Sequence, residues 1–194
     1  MTVIGASLVT LLTLGLLFAS VIDMGGKIDQ GASVPTSTRT ASSSDGQPPD
    51  LSTMTPREAA YRLFNRVMMA DEQGNTDEVM QFAPMALAAY DRIEALDLEA
   101  TYHIGLISAA ADDPDKAEDV VNRLRAVVPD HLLASILEHR LAVDRNDQAK
   151  AEQAIERFQN AYDAEISVGR PEYRGHQRQI DQFRQRFGDA NSGG

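Results

Sequence analysis

Apolar residues recur through the C-terminal two thirds of this chain at spacings of three and four, and no stretch alternates with period two for long. That spacing predicts helices with one apolar stripe and gives no support to strands. The segment DDPDKAEDVVNRLRAVVP, residues 112–129, carries the stripe Ala117, Val120, Val121, Leu124, Val127 and Val128 between two prolines. A helix so short gains most of its stability from burying its stripe, so it requires a partner. Thr55-Pro56-Arg57-Glu58 is a strong start signal: Thr55 caps, Pro56 suits the first helical position and Glu58 completes a capping box. Stops and turns fall at Gly74-Asn75, Asp112-Asp113-Pro114, Pro129-Asp130, Asn146-Asp147 and Gly169-Arg170-Pro171. The short connections between them predict antiparallel neighbours, about seven helices over residues 55–187. The predicted fold class is all-α.

The N-terminal pattern is different. Residues 3–22 contain no charged side chain, and as a helix they are about 30 Å long, the thickness of a bilayer core. A signal peptide is the competing reading, but no Lys or Arg precedes the run and no convincing A-x-A follows Ala19. Residues 1–22 are therefore assigned to a transmembrane anchor, with the cleaved signal peptide as the alternative. Lys27 and Arg39 are the only basic residues close behind the span, and they do not fix its orientation. Residues 23–54, rich in Gly, Ser, Thr, Pro, Asp and Gln, have little to bury and are predicted to form a disordered tether. Residues 188–194 are predicted to be a flexible tail.

Shifting the stripe of residues 112–129 forward by 34 positions gives Ala151, Ala154, Ile155, Phe158, Ala161 and Tyr162. Shifting it backward by 34 gives Ala83, Ala86, Leu87, Tyr90 and Ile93, with Glu94 breaking the series. The preceding helices agree, since Leu98, Tyr102 and Ile107 fall on Leu132, Ile136 and Leu141. The helix at Ala60, Phe64 and Met68 aligns instead at 38, which predicts about four extra residues near Thr76 to Val79. Pro84 is expected to kink the second helix or start it anew. Paired helices at this period are the signature of a helical repeat.

With Ile104-Gly105, Ala117 and Pro129 in their motif positions, residues 55–165 resemble the tetratricopeptide repeat family. The following unit keeps Ala151 and Ile155 but has Glu138-His139 in place of the Leu-Gly pair. The resemblance implies a short helical solenoid of about three helix pairs, with Ala117 and Ala151 buried at close crossings. Residues 171–188 are expected to cap its end. It also implies a concave groove lined by Tyr61, Phe64, Met68, Tyr102, Leu106, Ile136 and Arg140. Aromatics and Met suit an adaptable apolar contact, and Arg140 suits a carboxylate, so a protein partner supplying a peptide or helix is expected there.

Charge and chemistry narrow this picture. A net charge of −11 argues against a nucleic-acid partner. The chain has no cysteine, which removes disulfides and thiol chemistry. The four histidines, at 103, 131, 139 and 176, show no i, i+4 pairing with one another and no HExxH pattern, so no metal site is expected. No phosphate-binding loop or nucleophile motif occurs, and no catalytic residue, cofactor or small-molecule substrate is predicted. Five arginines between 170 and 187 face only two acids, either as helix-dipole partners or as a docking patch. The expected function is a membrane-anchored adaptor or scaffold for protein–protein interaction, single-pass, in the cell membrane, with the side of the helical domain open. The residues leave two alternatives: a secreted or periplasmic repeat protein, and an enzyme or accessory subunit of a membrane complex with an unrecognised site.

The intact mass of the purified protein is expected to include residues 3–22, with the chain in the membrane fraction. A mature N-terminus between about Ser20 and Ser33 in the soluble fraction overturns the anchor.

Overall fold

Three times among the described residues a helix ends in one left-handed residue and an Asn or Asp opens the next helix. The computed structural model describes residues 54–188; the predicted span at residues 3–22 lies outside them, as do the tether and tail apart from Met54 and Gly188. All regular structure among the described residues is helical. It comprises α1 (Pro56–Glu72), α2 (Thr76–Tyr90), α3 (Leu98–Ala110), α4 (Pro114–Val127), α5 (Leu132–Asp144), α6 (Gln148–Val168), α7 (Pro171–Gly175) and α8 (Gln177–Phe187). The capping box at the start of α1 is present, with Thr55 Oγ1 accepting from the Glu58 N–H and Glu58 Oε2 accepting from the Thr55 N–H.

The left-handed residues of these three turns are Gly74, Asp112 and Asn146, at φ 67°, 57° and 56°. After each, a backbone N–H reaches back to an orphan carbonyl: Asn75 to Ala70 at 2.9 Å, Asp113 to Ser108 at 2.9 Å and Asp147 to Ala142 at 2.8 Å. The same Asn75, Asp113 and Asp147 then cap the following helix, accepting from the N–H groups of Glu78, Lys116 and Lys150. One turn chemistry therefore closes the pairs α1–α2, α3–α4 and α5–α6, which are the most closely packed helix pairs.

These turns correct the expected register of the first pair. Gly74 precedes Asp112 by 38 residues, and Asp112 precedes Asn146 by 34. At the 38-residue offset the stripe of α4 falls on Val79, Phe82, Ala83, Ala86, Ala89 and Tyr90, and all six are buried. The extra residues thus lie in the connection 91–97 between α2 and α3, not near Thr76 to Val79 as the 34-residue shift suggested. Helix α2 also runs unbroken through Pro84 and does not start anew there. Pro84 and Met80 are both exposed, so the carbonyl deprived of its N–H partner is on the wet side of the helix.

Ala117 and Ala151 are buried. The closest approach of helices is at Gly105, where an added Cβ would lie 2.5 Å from Leu137 Cδ2 and 2.7 Å from Val120 Cγ1. Gly105 thus lets α3 meet α4 and α5 at once. In the next unit Glu138 occupies the slot corresponding to Ile104, and it is held by Arg125 from α4 at 3.0 and 2.6 Å and by Arg157 from α6 at 3.2 Å. This half-buried network explains how an acid stands at the position that the 34-residue offset aligns with Ile104. Of the α4 stripe, Val127 is the exception, being 68% exposed.

Helix α3 has no exposed face: every residue from Tyr102 to Ser108 is buried. Residues 100–111 carry no formal charge, and a helix apolar all round belongs in the interior. α1, α2, α4 and α5 all pack on it, and residues of the C-terminal segment complete its cover. That segment is two helices, where one capping helix was expected, because the chain breaks at His176.

Replacing Gly105 with Ala is expected to destabilise the protein by about 1–2 kcal/mol. Overpacking costs about 1–3 kcal/mol and the gain in helix propensity offsets less than about 1 kcal/mol. Urea unfolding checks it; a stabilised variant, as propensity alone requires, contradicts the close crossing.

Candidate functional site

The C-terminal segment lies against the helices that were expected to line an open groove. Tyr102 Oη donates to Gln179 Oε1 of α8 at 3.0 Å, and burial pushes this phenol up, keeping it a donor. His139 of α5 meets the rings of Phe183 and Phe187 at 5.1 and 4.9 Å between centroids, and Phe158 of α6 meets Phe183 at 4.7 Å. The amide of Gln159 donates to the Phe187 carbonyl. Ile180 and Phe183 are buried, whereas Arg178 and Gln182 are exposed, so α8 presents its apolar side inward.

This placement changes the role of the seven predicted groove residues. Phe64, Tyr102, Leu106 and Ile136 are buried members of the core. Tyr61 remains 52% exposed, Met68 is half-buried, and Arg140 donates to Asp71 Oδ2 at 2.9 Å, linking α5 to α1. What persists of the groove is a cleft of about 340 Å³ lined by Phe64, Met68, Asp71, Leu106 and Arg140 on one side and by Gly175, His176, Arg178, Gln179 and Gln182 on the other.

The basic C-terminal stretch is partly committed. Arg170 binds Glu165 through two bonds of 2.6 and 3.1 Å, Arg184 lies 4.0 Å over the Tyr162 ring and Arg186 lies 5.2 Å from the Phe187 ring. Arg174 and Arg178 are exposed.

Two polar clusters fix α7. At its start, Tyr173 Oη donates to Glu165 Oε2 at 2.7 Å and accepts from the Leu132 N–H at 3.0 Å. The hydroxyl thereby serves as the missing cap of α5, whose N-cap residue His131 makes no capping bond of its own. His131 is fully buried and its Nε2 lies 3.1 Å from Glu172 Oε1, while its Nδ1 has no partner. Burial pushes the imidazole down from its ordinary value against the pull of Glu172. The neutral Nε2–H form fits this site, since it donates to the carboxylate and leaves only an acceptor unpaired.

At the end of α7 stands the second cluster. His103 Nδ1 is 2.8 Å from Tyr90 Oη, and His103 Nε2 is 3.1 Å from His176 Nε2. Phe64 stacks on the His103 ring at 3.8 Å. The carboxylate of Glu99, one turn before His103, lies so close to the α7 backbone that a Cβ at Gly175 would be 2.9 Å from its Oε1. Donor atoms of Glu99, His103 and His176 all lie within 4.8 Å of one another. Burial pushes His103 down to about 3 and also lowers His176, so both rings are neutral at ordinary pH; burial raises Glu99. A cleft of about 240 Å³, lined by Arg57, Glu58, Tyr61, Tyr90, Glu99, Ala100 and His103, opens beside them.

Sequence reasoning passed over this convergence because it asked whether histidines lie one turn from each other. The signal present was a Glu one turn before a His; the third member is 73 residues further on and only the fold of α7 brings it in. The chain matches no protein-family model, no curated protein and no solved structure. Among the described residues no helix is long and apolar enough to cross a membrane.

All four histidines are lowered by burial. The unfolded chain takes up protons near pH 6.5, where the folded protein refuses them, so acid favours unfolding. The well-buried His103 and His131 each contribute up to about 1.4 kcal/mol per pH unit below that point, and the partly exposed His139 contributes less through solvent screening. Glu165, lowered chiefly by Arg170, adds to the loss only below its ordinary range, and Glu99, raised, opposes it. Unfolding free energy from urea titrations is expected to fall by at least about 1 kcal/mol between pH 7 and pH 5. A flat or rising profile shows that the rings are protonated in the folded state.

Proposed function

We propose that this chain is an adaptor of the tetratricopeptide-repeat kind, held to a membrane by residues 3–22 and binding another protein through the first helices of its pairs. The observation that carries this reading is the seating of α8. An amphipathic helix with Ile180 and Phe183 facing inward lies on side chains of α3, α5 and α6. A surface that holds one such helix has the chemistry of helix-in-groove recognition. The thrice-repeated turn and the tight crossing at Gly105 support the repeat architecture. Since α8 lies across the first helices, the partner's place is the remaining cleft, lined by Met68 and Arg140, with the exposed Tyr61 of α1 beside the second cleft.

A second reading is an enzyme or accessory subunit of a membrane complex. The convergence of Tyr90, Glu99 and His103 on a cleft favours it, because an apolar groove alone would hold no such cluster.

A photo-crosslinking amino acid placed at position 61 or 68 in intact cells is expected to give discrete adducts with one protein. The same group at position 156, on the exposed side of α6, is expected to give none. Equal adducts from both sides, or none from either, overturn the adaptor reading. Arg140→Ala is expected to reduce the adduct at position 68 by at least about threefold while costing about 1 kcal/mol of stability, as for a partly exposed ion pair.

A further inference from the structure

We propose that Glu99, His103 and His176 form a binding site for one divalent transition-metal ion of the zinc class, which fastens the α7–α8 segment to α3. The site is independent of the adaptor reading.

The geometry of the two imidazoles carries the argument. Their Nε2 atoms face each other at 3.1 Å. Two nitrogens bound to one tetrahedral ion at about 2.0–2.1 Å lie about 3.3 Å apart, so the rings already stand at ligand spacing. Without an ion, only one of the facing nitrogens carries a proton and the other accepts it, a single neutral hydrogen bond. With an ion, both lone pairs are used.

The outer partner fits as well. A metal-binding histidine usually donates its other ring N–H to a neighbouring oxygen, which fixes the tautomer and the ring orientation. His103 Nδ1 has that oxygen in Tyr90 Oη at 2.8 Å, and the Phe64 stack at 3.8 Å holds the ring plane.

The third donor is uncommitted. The Glu99 carboxylate makes no hydrogen bond or ion pair among the described residues, although it is half-buried. Arg57 shares its cleft but is paired with Asp97 at 2.8 Å, so the carboxylate has no direct ion-pair partner of its own. It sits one helical turn from His103, on the same face of α3, and the glycine at 175 leaves room for it beside His176. Its oxygen lies within 4.8 Å of a ring nitrogen of each histidine. Two imidazoles and one carboxylate with no thiolate are a zinc-type set, leaving a fourth position for water from the adjoining cleft of about 240 Å³.

The test uses the full chain in detergent micelles, without a polyhistidine tag, stripped with a chelator. Zinc titrated by calorimetry is expected to bind at one ion per chain with micromolar or tighter affinity, and to raise the melting temperature. Cobalt(II) is expected to give the visible d–d absorption of a four-coordinate site. Glu99→Gln and His176→Gln, both at half-buried positions, are each expected to weaken zinc at least tenfold and to abolish the cobalt spectrum. Tyr90→Phe is expected to weaken zinc about tenfold through loss of the ring's anchor. His139→Gln, a histidine outside the cluster, is expected to bind zinc as the parent does. Should His103→Gln fail to fold, Glu99→Gln and His176→Gln still decide the matter. No stoichiometric zinc binding, or binding unchanged in both of these variants, overturns the proposal, as does loss of binding in His139→Gln alone.

Discussion

Helix α3 has no side it can show to water, and the surrounding structure follows from that constraint. Burying a residue such as Leu or Ile is worth roughly 1.5–3 kcal/mol, and α3 places Tyr102, Ile104, Leu106 and Ile107 on different sides of one short helix. A single partner helix covers one side only. Gly105 admits α4 and α5 together, α1 and α2 close in from the preceding pair, and α7–α8 take the side that remains. Polar groups caught in this enclosure are satisfied locally: Tyr102 by Gln179, His103 by Tyr90 and His176.

The boundaries named from the sequence were legible because they rest on local chemistry, whereas the connection 91–97 and the break at His176, which has no side-chain cap, were not. Thr55, Asn75, Asp113 and Asp147 cap, Gly74 and Gly169 take up the left-handed conformation, and Pro114 and Pro171 stand at first helical positions. What a 34-residue comparison could not locate was the insertion, since Ala83, Ala86 and Tyr90 are buried and apolar in either register. Backbone geometry decides it, because only the 38-residue offset carries Gly74 onto the left-handed Asp112.

The site was less legible, for a reason of another kind. The expectation of an open groove treated α3 as amphipathic, although the uncharged run of residues 100–111 argues for burial all round. Once α3 must be covered, Tyr102, Leu106 and Ile136 become core, and the inward side of α8 becomes their cover. The polar cluster at the end of α7 depends on a contact across 73 residues. No spacing rule within one helix reveals such a contact. His131 and Tyr173 are similar: one looks like an unremarkable cap and the other like a capping-helix aromatic, until Tyr173 is seen to supply the acceptor for Leu132.

The cover of α3 also imposes an order in time. His103 leaves the ribosome 73 residues ahead of His176, and at about 5–20 residues per second that interval is roughly 4–15 s. During synthesis the first two helix pairs can close through their local turns, yet one apolar side of α3 stays open until residues 171–187 emerge. A nascent chain of this protein therefore carries a sticky helix surface for seconds. Chaperone demand is expected to fall on that interval, and a stop codon before residue 171 would leave a product with the same surface permanently bare.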